Sequence, residues 1–219
     1  MSFVATLVSQ LSHRHLLKHP FYEAWSAGKL TLESLGTYAE QYYHHVVAFP
    51  SYVSATHSGC ESVEGRQLLV DEDRGPQNHP ELWLRFSEGV GATRGDVKGA
   101  ALEPETQALI NTFLDLSRAS YAEGLGALFA YENQIPAVAA TKIKGLKEFY
   151  GVDGEHALKF FSVQPGADVY HSETCAQLLE QLPPDEKAKA QAAAQTAAQA
   201  LWAFLDGMCR VSGVECDTH

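Results

Sequence analysis

Nowhere in the 219 residues is there an apolar run long enough to cross a bilayer, and the opening MSFVATLVSQLSHRHLLKHPF is amphipathic rather than continuously apolar. Neither a membrane span nor a signal peptide is expected. Positive charge is scarce: 16 Lys and Arg face 27 Asp and Glu, for a net charge of -11. No basic patch is interleaved with aromatic residues, which argues against nucleic acid or an anionic membrane as the main partner. Cysteine is sparse and scattered at Cys60, Cys175, Cys209 and Cys216, without C-x-x-C spacing. That usage suits reduced thiols in a cytoplasm, with Cys209 and Cys216 near enough to pair but read here as part of an extended tail. Period-two alternation is absent, which excludes a strand-built fold, and no repeat of about 20 to 50 residues appears.

What is present is helical patterning. Hydrophobic residues make up 45% and charged residues 20%, an ordinary globular balance in a chain long enough for one core. Residues 2–17 and the segment HPFYEAWSAG read as helices. Thr31 opens a long helix through YYHHVVAFPSYVSATHS, in which Pro50 is expected to introduce a kink. Its face Leu35, Tyr38, Tyr42, His45, Phe49, Tyr52 and His57 is aromatic, and His44, His45 and His57 are individually read as hydrogen-bonded core or surface histidines. Another helix spans 61–72 and breaks at Arg74-Gly75-Pro76. Asn78-His79-Pro80-Glu81 then has the capping chemistry of a helix start. A loop is expected through Gly95 and Gly99. Helices follow over 103–118, over 120–150 with a break near Pro136, over 153–182, and over the alanine-rich stretch after Pro183-Pro184. The expectation is one all-α bundle of about seven helices over residues 1–208. A loose tail is expected over 209–219.

Two stretches carry chemistry. In FFSVQPGADVYH, Gln164, Asp168 and His171 stand at i, i+4 and i+7 of a helix, continued by Cys175 and Leu178 toward a core. An Asp and a His on such a stripe form either a buried hydrogen-bonded pair or part of a metal site. In GLGALFAYENQIP, Glu132 shares its face with Leu125, Leu128, Phe129 and Ile135. A carboxylate in an apolar stripe must be protonated, paired or metal-bound. Glu72 and His79 flank a turn that could bring them together. Glu72, His79, Glu132, Asp168 and His171 then make a set of hard oxygen and imidazole donors from several helices, suited to Fe(II) or Mn(II).

Together, YYHHVVAFPSYVSATHS, the E-x6-HPELW segment, YENQIP, TKIKGL and the F-F-x-x-x-x-x-A-D-V-x-H run resemble the haem-oxygenase-like fold of the TenA/PqqC superfamily. The resemblance covers roughly residues 10–205 and is to the CADD-like branch, the para-aminobenzoate synthases among the dimetal oxidases of this fold. It implies metal ligands at Glu72, His79, Glu132, Asp168 and His171. A sixth ligand is implied at Gln164, where the family has His, and a neutral amide oxygen there would weaken one site of an Fe or Fe/Mn pair. O2 is the implied co-substrate and an external reductant the implied partner, and a homodimer is the implied assembly. The resemblance also implies that a tyrosine of the protein itself becomes the ring of para-aminobenzoate. Tyr22 is the first choice, Tyr38 and Tyr131 are the other matching tyrosines, and Lys142 is the implied amino donor. From spacing alone, Lys142 reads as a solvated lysine on an amphipathic face.

Two other readings compete. A TenA-type aminopyrimidine hydrolase would need a positioned Cys nucleophile, which neither Cys60 nor Cys175 supplies in a recognisable motif. A metal-poor TenA/PqqC-like protein, acting in cofactor biosynthesis or as a protein-binding module, would purify without stoichiometric iron or manganese.

Overall fold

The computed structural model describes residues 2–62, 65–66 and 78–215, with the side chains at 163–171 outside that description. Glu72 and most of the helix expected over 61–72 therefore lie outside the described residues. Among the described residues every regular element is helical. The α-helices are α1 (Phe3–Leu11), α2 (Pro20–Ser26), α3 (Leu32–Ser58), α4 (His79–Gly89), α5 (Arg94–Gly99), α6 (Pro104–Ala119), α7 (Tyr121–Glu132), α8 (Ile135–Phe149), α9 (Glu155–Gln181) and α10 (Pro184–Ser212). Among the described residues that is ten where about seven were expected, and none of the ten is long and apolar enough to cross a membrane.

Local chemistry explains the starts. The hydroxyl of Thr31 accepts the Ser34 N–H at 3.0 Å, and Asn78 Oδ1 accepts the Glu81 N–H at 3.2 Å, so each satisfies a donor that its helix leaves open. Pro20, Pro80, Pro104, Pro136 and Pro184 all sit in first turns, where the missing N–H costs nothing. The break near Pro136 falls at Asn133 and Gln134 and separates α7 from α8.

Several expectations are corrected. The N-terminal helix ends at Leu11 and continues as two short 3-10 turns rather than as α-helix to residue 17. The loop expected through Gly95 and Gly99 is the short α5. Thr93 caps it, accepting the Asp96 N–H at 3.2 Å while donating its own hydroxyl to Asp96 at 2.6 Å, and this reciprocal cap overrides the weak glycines. α3 continues as helix through Pro50, where a kink was expected, and α9 continues through Pro165-Gly166. α10 runs past residue 208 to Ser212 and ends on Gly213 in the left-handed conformation, φ 64°. The Val214 N–H then donates to the Cys209 carbonyl at 3.1 Å, turning the chain back over its own last turn. Cys209 is disulfide-bonded there, against the expectation of thiols, whereas Cys60 and Cys175 are buried and outside any disulfide.

The core runs the length of the bundle. α7 is its axis, with every residue from Leu125 to Glu132 buried. α10 packs along it through Ala190, Ala194, Ala197 and Ala198, all under 2% exposed. The alanines let the two backbones approach so closely that a Cβ at Gly126 would collide with the Ala190 carbonyl oxygen. The alanine-rich stretch is thus a packing surface as well as a strong helix former. α3 crosses α4, α6 and α7, while α9 packs on α4, α7 and α8.

Candidate active site

His19 fixes the entry of α2. Its Nδ1 accepts the Phe21 N–H at 3.1 Å, which leaves the proton on Nε2 to be donated to Asp206 Oδ1 of α10 at 3.1 Å. Burial holds this imidazole below its ordinary pKa, against the opposing pull of Asp206. The cap places Tyr22 in the first turn of α2, 2% exposed, facing the N-terminal part of α3. There the Tyr22 and Tyr38 hydroxyls lie 3.1 Å apart.

Lys142 of α8 completes the line. Its ammonium nitrogen is 2.7 Å from the Tyr38 hydroxyl, and the residue is 4% exposed. Around Nζ stand the rings of Tyr22, Tyr38, Tyr42, Trp83 and Phe161, with centroids between 5.0 and 5.7 Å away. Rings attract a cation through their faces but do not replace its hydration, so burial wins and lowers the Lys142 pKa to about 7. The same desolvation raises Tyr22 and Tyr38 well above their ordinary value. The cluster therefore holds neutral phenols beside an amine that is uncharged in a large share of molecules at neutral pH.

A second phenol pair adjoins the first. Tyr38 stacks on Tyr42 at 5.5 Å, and the Tyr42 and Tyr131 hydroxyls are 2.7 Å apart. His45 lies against both Tyr42 and Tyr131, with ring centroids 5.4 Å from each. Burial depresses its pKa to about 3, so it is neutral, as expected of a core histidine. Next to Tyr131, Glu132 ends α7 and is 3% exposed.

The structure thus gathers Tyr22, Tyr38 and Lys142, and joins Tyr131 to them through Tyr42. Lys142 is not on a solvated face, because α2 and α9 pack on α8 and rings from α2, α3, α4 and α9 close around its ammonium. Sequence reasoning overlooked Tyr42 and Trp83 as members of the cluster. Tyr42 was visible one turn after Tyr38, and Trp83 in the HPELW segment.

His79 begins α4, half-buried, its ring 6.0 Å from that of Phe160. Among the described residues no group of three or more His, Cys, Asp or Glu converges as a metal site. Of the expected ligands, Glu72 lies outside them, as do the side chains of Gln164, Asp168 and His171. The backbone of these last three is helical, and α9, which carries them, packs on α4 and α7, the helices of His79 and Glu132.

Comparison with known proteins agrees with this architecture. The family described as iron-containing redox enzyme matches residues 37–204. A 4-aminobenzoate synthase of Nitrosomonas europaea is 41% identical, over 94% of this chain and 91% of the relative. One from Chlamydia trachomatis is 37% identical, over 100% of this chain and 96% of that one. A domain from Shewanella denitrificans with a haem-oxygenase-like fold superposes with a TM-score of 0.82 at 16% identity, covering 96% of this chain and 91% of its own. The chain belongs to the haem-oxygenase-like family of iron-containing redox enzymes.

Proposed function

We propose that this chain makes 4-aminobenzoate, the product named for its relatives, with the ring of Tyr22 as the carbon skeleton and Lys142 as the source of nitrogen. The hydrogen-bonded line from Lys142 through Tyr38 to Tyr22 carries the reading: an amine and two phenols are sealed together away from water. An amine attacks through its lone pair, so it must be uncharged. Desolvation supplies that state at Lys142. Tyr38, bonded to both neighbours, is placed to pass a proton between the ring being oxidised and the amine. Aromatic walls keep water from intercepting reactive species.

The donors suit the family's iron. Carboxylates and imidazoles are the ligands that Fe and Mn favour, and Glu132 is a buried carboxylate beside Tyr131. In this reading Glu72, His79, Glu132, Asp168 and His171 hold an Fe or Fe/Mn pair, with Gln164 the weaker donor of one site. When bound, the metal pair supplies the activation of O2 that phenol oxidation needs. An external reductant is the partner, the protein works in the cytoplasm as a homodimer, and the net charge of -11 supports the lack of a nucleic-acid or membrane partner.

The test is anaerobic loading with Fe(II), alone and with Mn(II), followed by O2 and a reductant and by mass spectrometry. Protein grown on tyrosine carrying heavy carbon in its ring should give ring-labelled 4-aminobenzoate, and Tyr22→Phe should give none. Unlabelled product, or full yield from Tyr22→Phe, overturns the assignment. Gln164→His should raise the metal bound per chain, and unchanged metal content would remove the weak-site idea.

A further inference from the structure

We infer that Trp25 and Tyr150 form a relay carrying single electrons between the surface and the buried Tyr22–Tyr38 pair, so that a reductant in solution serves the site without entering it. The inference rests on the proposal that tyrosines of this cluster are oxidised. The Trp25 ring lies edge-on to Tyr38 at 5.6 Å and 6.1 Å from Tyr22. On its other side it is 6.2 Å from Tyr150, whose hydroxyl donates to the Trp25 carbonyl at 3.0 Å. Tyr150 is half-buried and follows the exposed Phe149, so the line of rings runs from the sealed cluster to water.

The state of the Trp25 indole supports transit rather than trapping. It is fully buried, and among the described residues its N–H has no acceptor. A buried donor left unsatisfied calls for an explanation. Gly145 supplies the steric one: a Cβ there would lie 2.7 Å from Cδ1 and 2.9 Å from Nε1 of Trp25, so only glycine lets α8 close over the indole edge. With nothing to take its proton, an oxidised Trp25 stays a radical cation and takes an electron back readily.

The balance is as follows. A Tyr38 phenoxyl, whose phenolic proton has moved to the Lys142 amine, takes one electron from Trp25 and recovers its proton from Lys142. The Trp25 radical cation takes one electron from Tyr150, whose phenolic proton leaves to water. A one-electron donor of the ascorbate type then reduces the Tyr150 phenoxyl, with a proton from water. One electron leaves the donor for each phenoxyl quenched.

The test uses the full-length chain without added metal, so its outcome is independent of 4-aminobenzoate formation. A ruthenium polypyridyl photosensitiser is tethered at Lys147→Cys, an exposed position of α8 just before Tyr150. A flash with an oxidative quencher injects a hole, and transient absorption follows the phenoxyl radical that disappears in the Tyr22→Phe/Tyr38→Phe double variant. Trp25→Phe and Tyr150→Phe should each slow the appearance of that radical by about tenfold or more. Unchanged rates in both overturn the relay. Should Trp25→Phe fail to fold, Tyr150→Phe, which loses only a half-buried hydroxyl, decides the matter alone.

Discussion

Lys142→Met is expected to abolish 4-aminobenzoate formation and, at pH 6, to make the protein more stable by roughly 2 to 4 kcal/mol. Both effects follow from the same burial. In the folded chain the Lys142 pKa falls from 10.5 to about 7. Below about pH 7 both folded and unfolded chains carry the proton, and the folded state bears the full desolvation penalty. As pH rises from about 7 to 10.5, the folded amine is neutral while the unfolded one is still charged, so stability climbs. Above 10.5 both are neutral and the penalty is gone. Methionine fills similar space without charge, which removes the penalty but also the bond to Tyr38 and the attraction of the five rings. Urea unfolding at several pH values should therefore show the variant's advantage shrinking from pH 6 toward pH 10. A wild-type stability flat across that window would show that the amine is not held dry.

Glu132→Ala should lose metal as well as product, with iron affinity weakened by at least about a hundredfold. The position explains the size of the effect. Glu132 is the last residue of α7, 3% exposed, so burial and the negative end of the helix dipole both oppose a carboxylate there. A cation at this point offsets both. Glu132→Gln keeps the shape and removes the charge, and it should also fail to retain iron. Iron per chain, measured by atomic emission after anaerobic loading, is the readout. Full occupancy in Glu132→Ala would remove Glu132 from the ligand set.

How far the chain could be read in advance depended on the range of the interaction. The caps at Thr31 and Asn78 and the break before Pro136 depend on residues within a few positions of one another, and all three are where the sequence places them. Glycine count misled at α5, because the Thr93–Asp96 cap outweighs two weak helix formers. Lys142 marks the limit. Its partner Tyr38 lies 104 residues away, and no local period encodes the covering of α8 by α2 and α9. Only the family resemblance pointed to it. Tyr42 and Trp83 were readable as helix-face aromatics but not as walls around an amine, since that role exists only once three distant helices meet. The turn at Gly213 that brings the tail back over α10 was equally invisible, because it requires knowing where the last helix stops.

The bond from His19 to Asp206 bears on how the molecule is made. The helix that holds Tyr22 is made well before α10, yet the imidazole that caps it is oriented by a carboxylate 187 positions later in the chain. Nascent chains in which Asp206 has yet to be made lack that carboxylate, so the Tyr22 ring takes its final seat only once α10 has been made. Proteins stalled or clipped ahead of Asp206 would carry the tyrosine without its anchor.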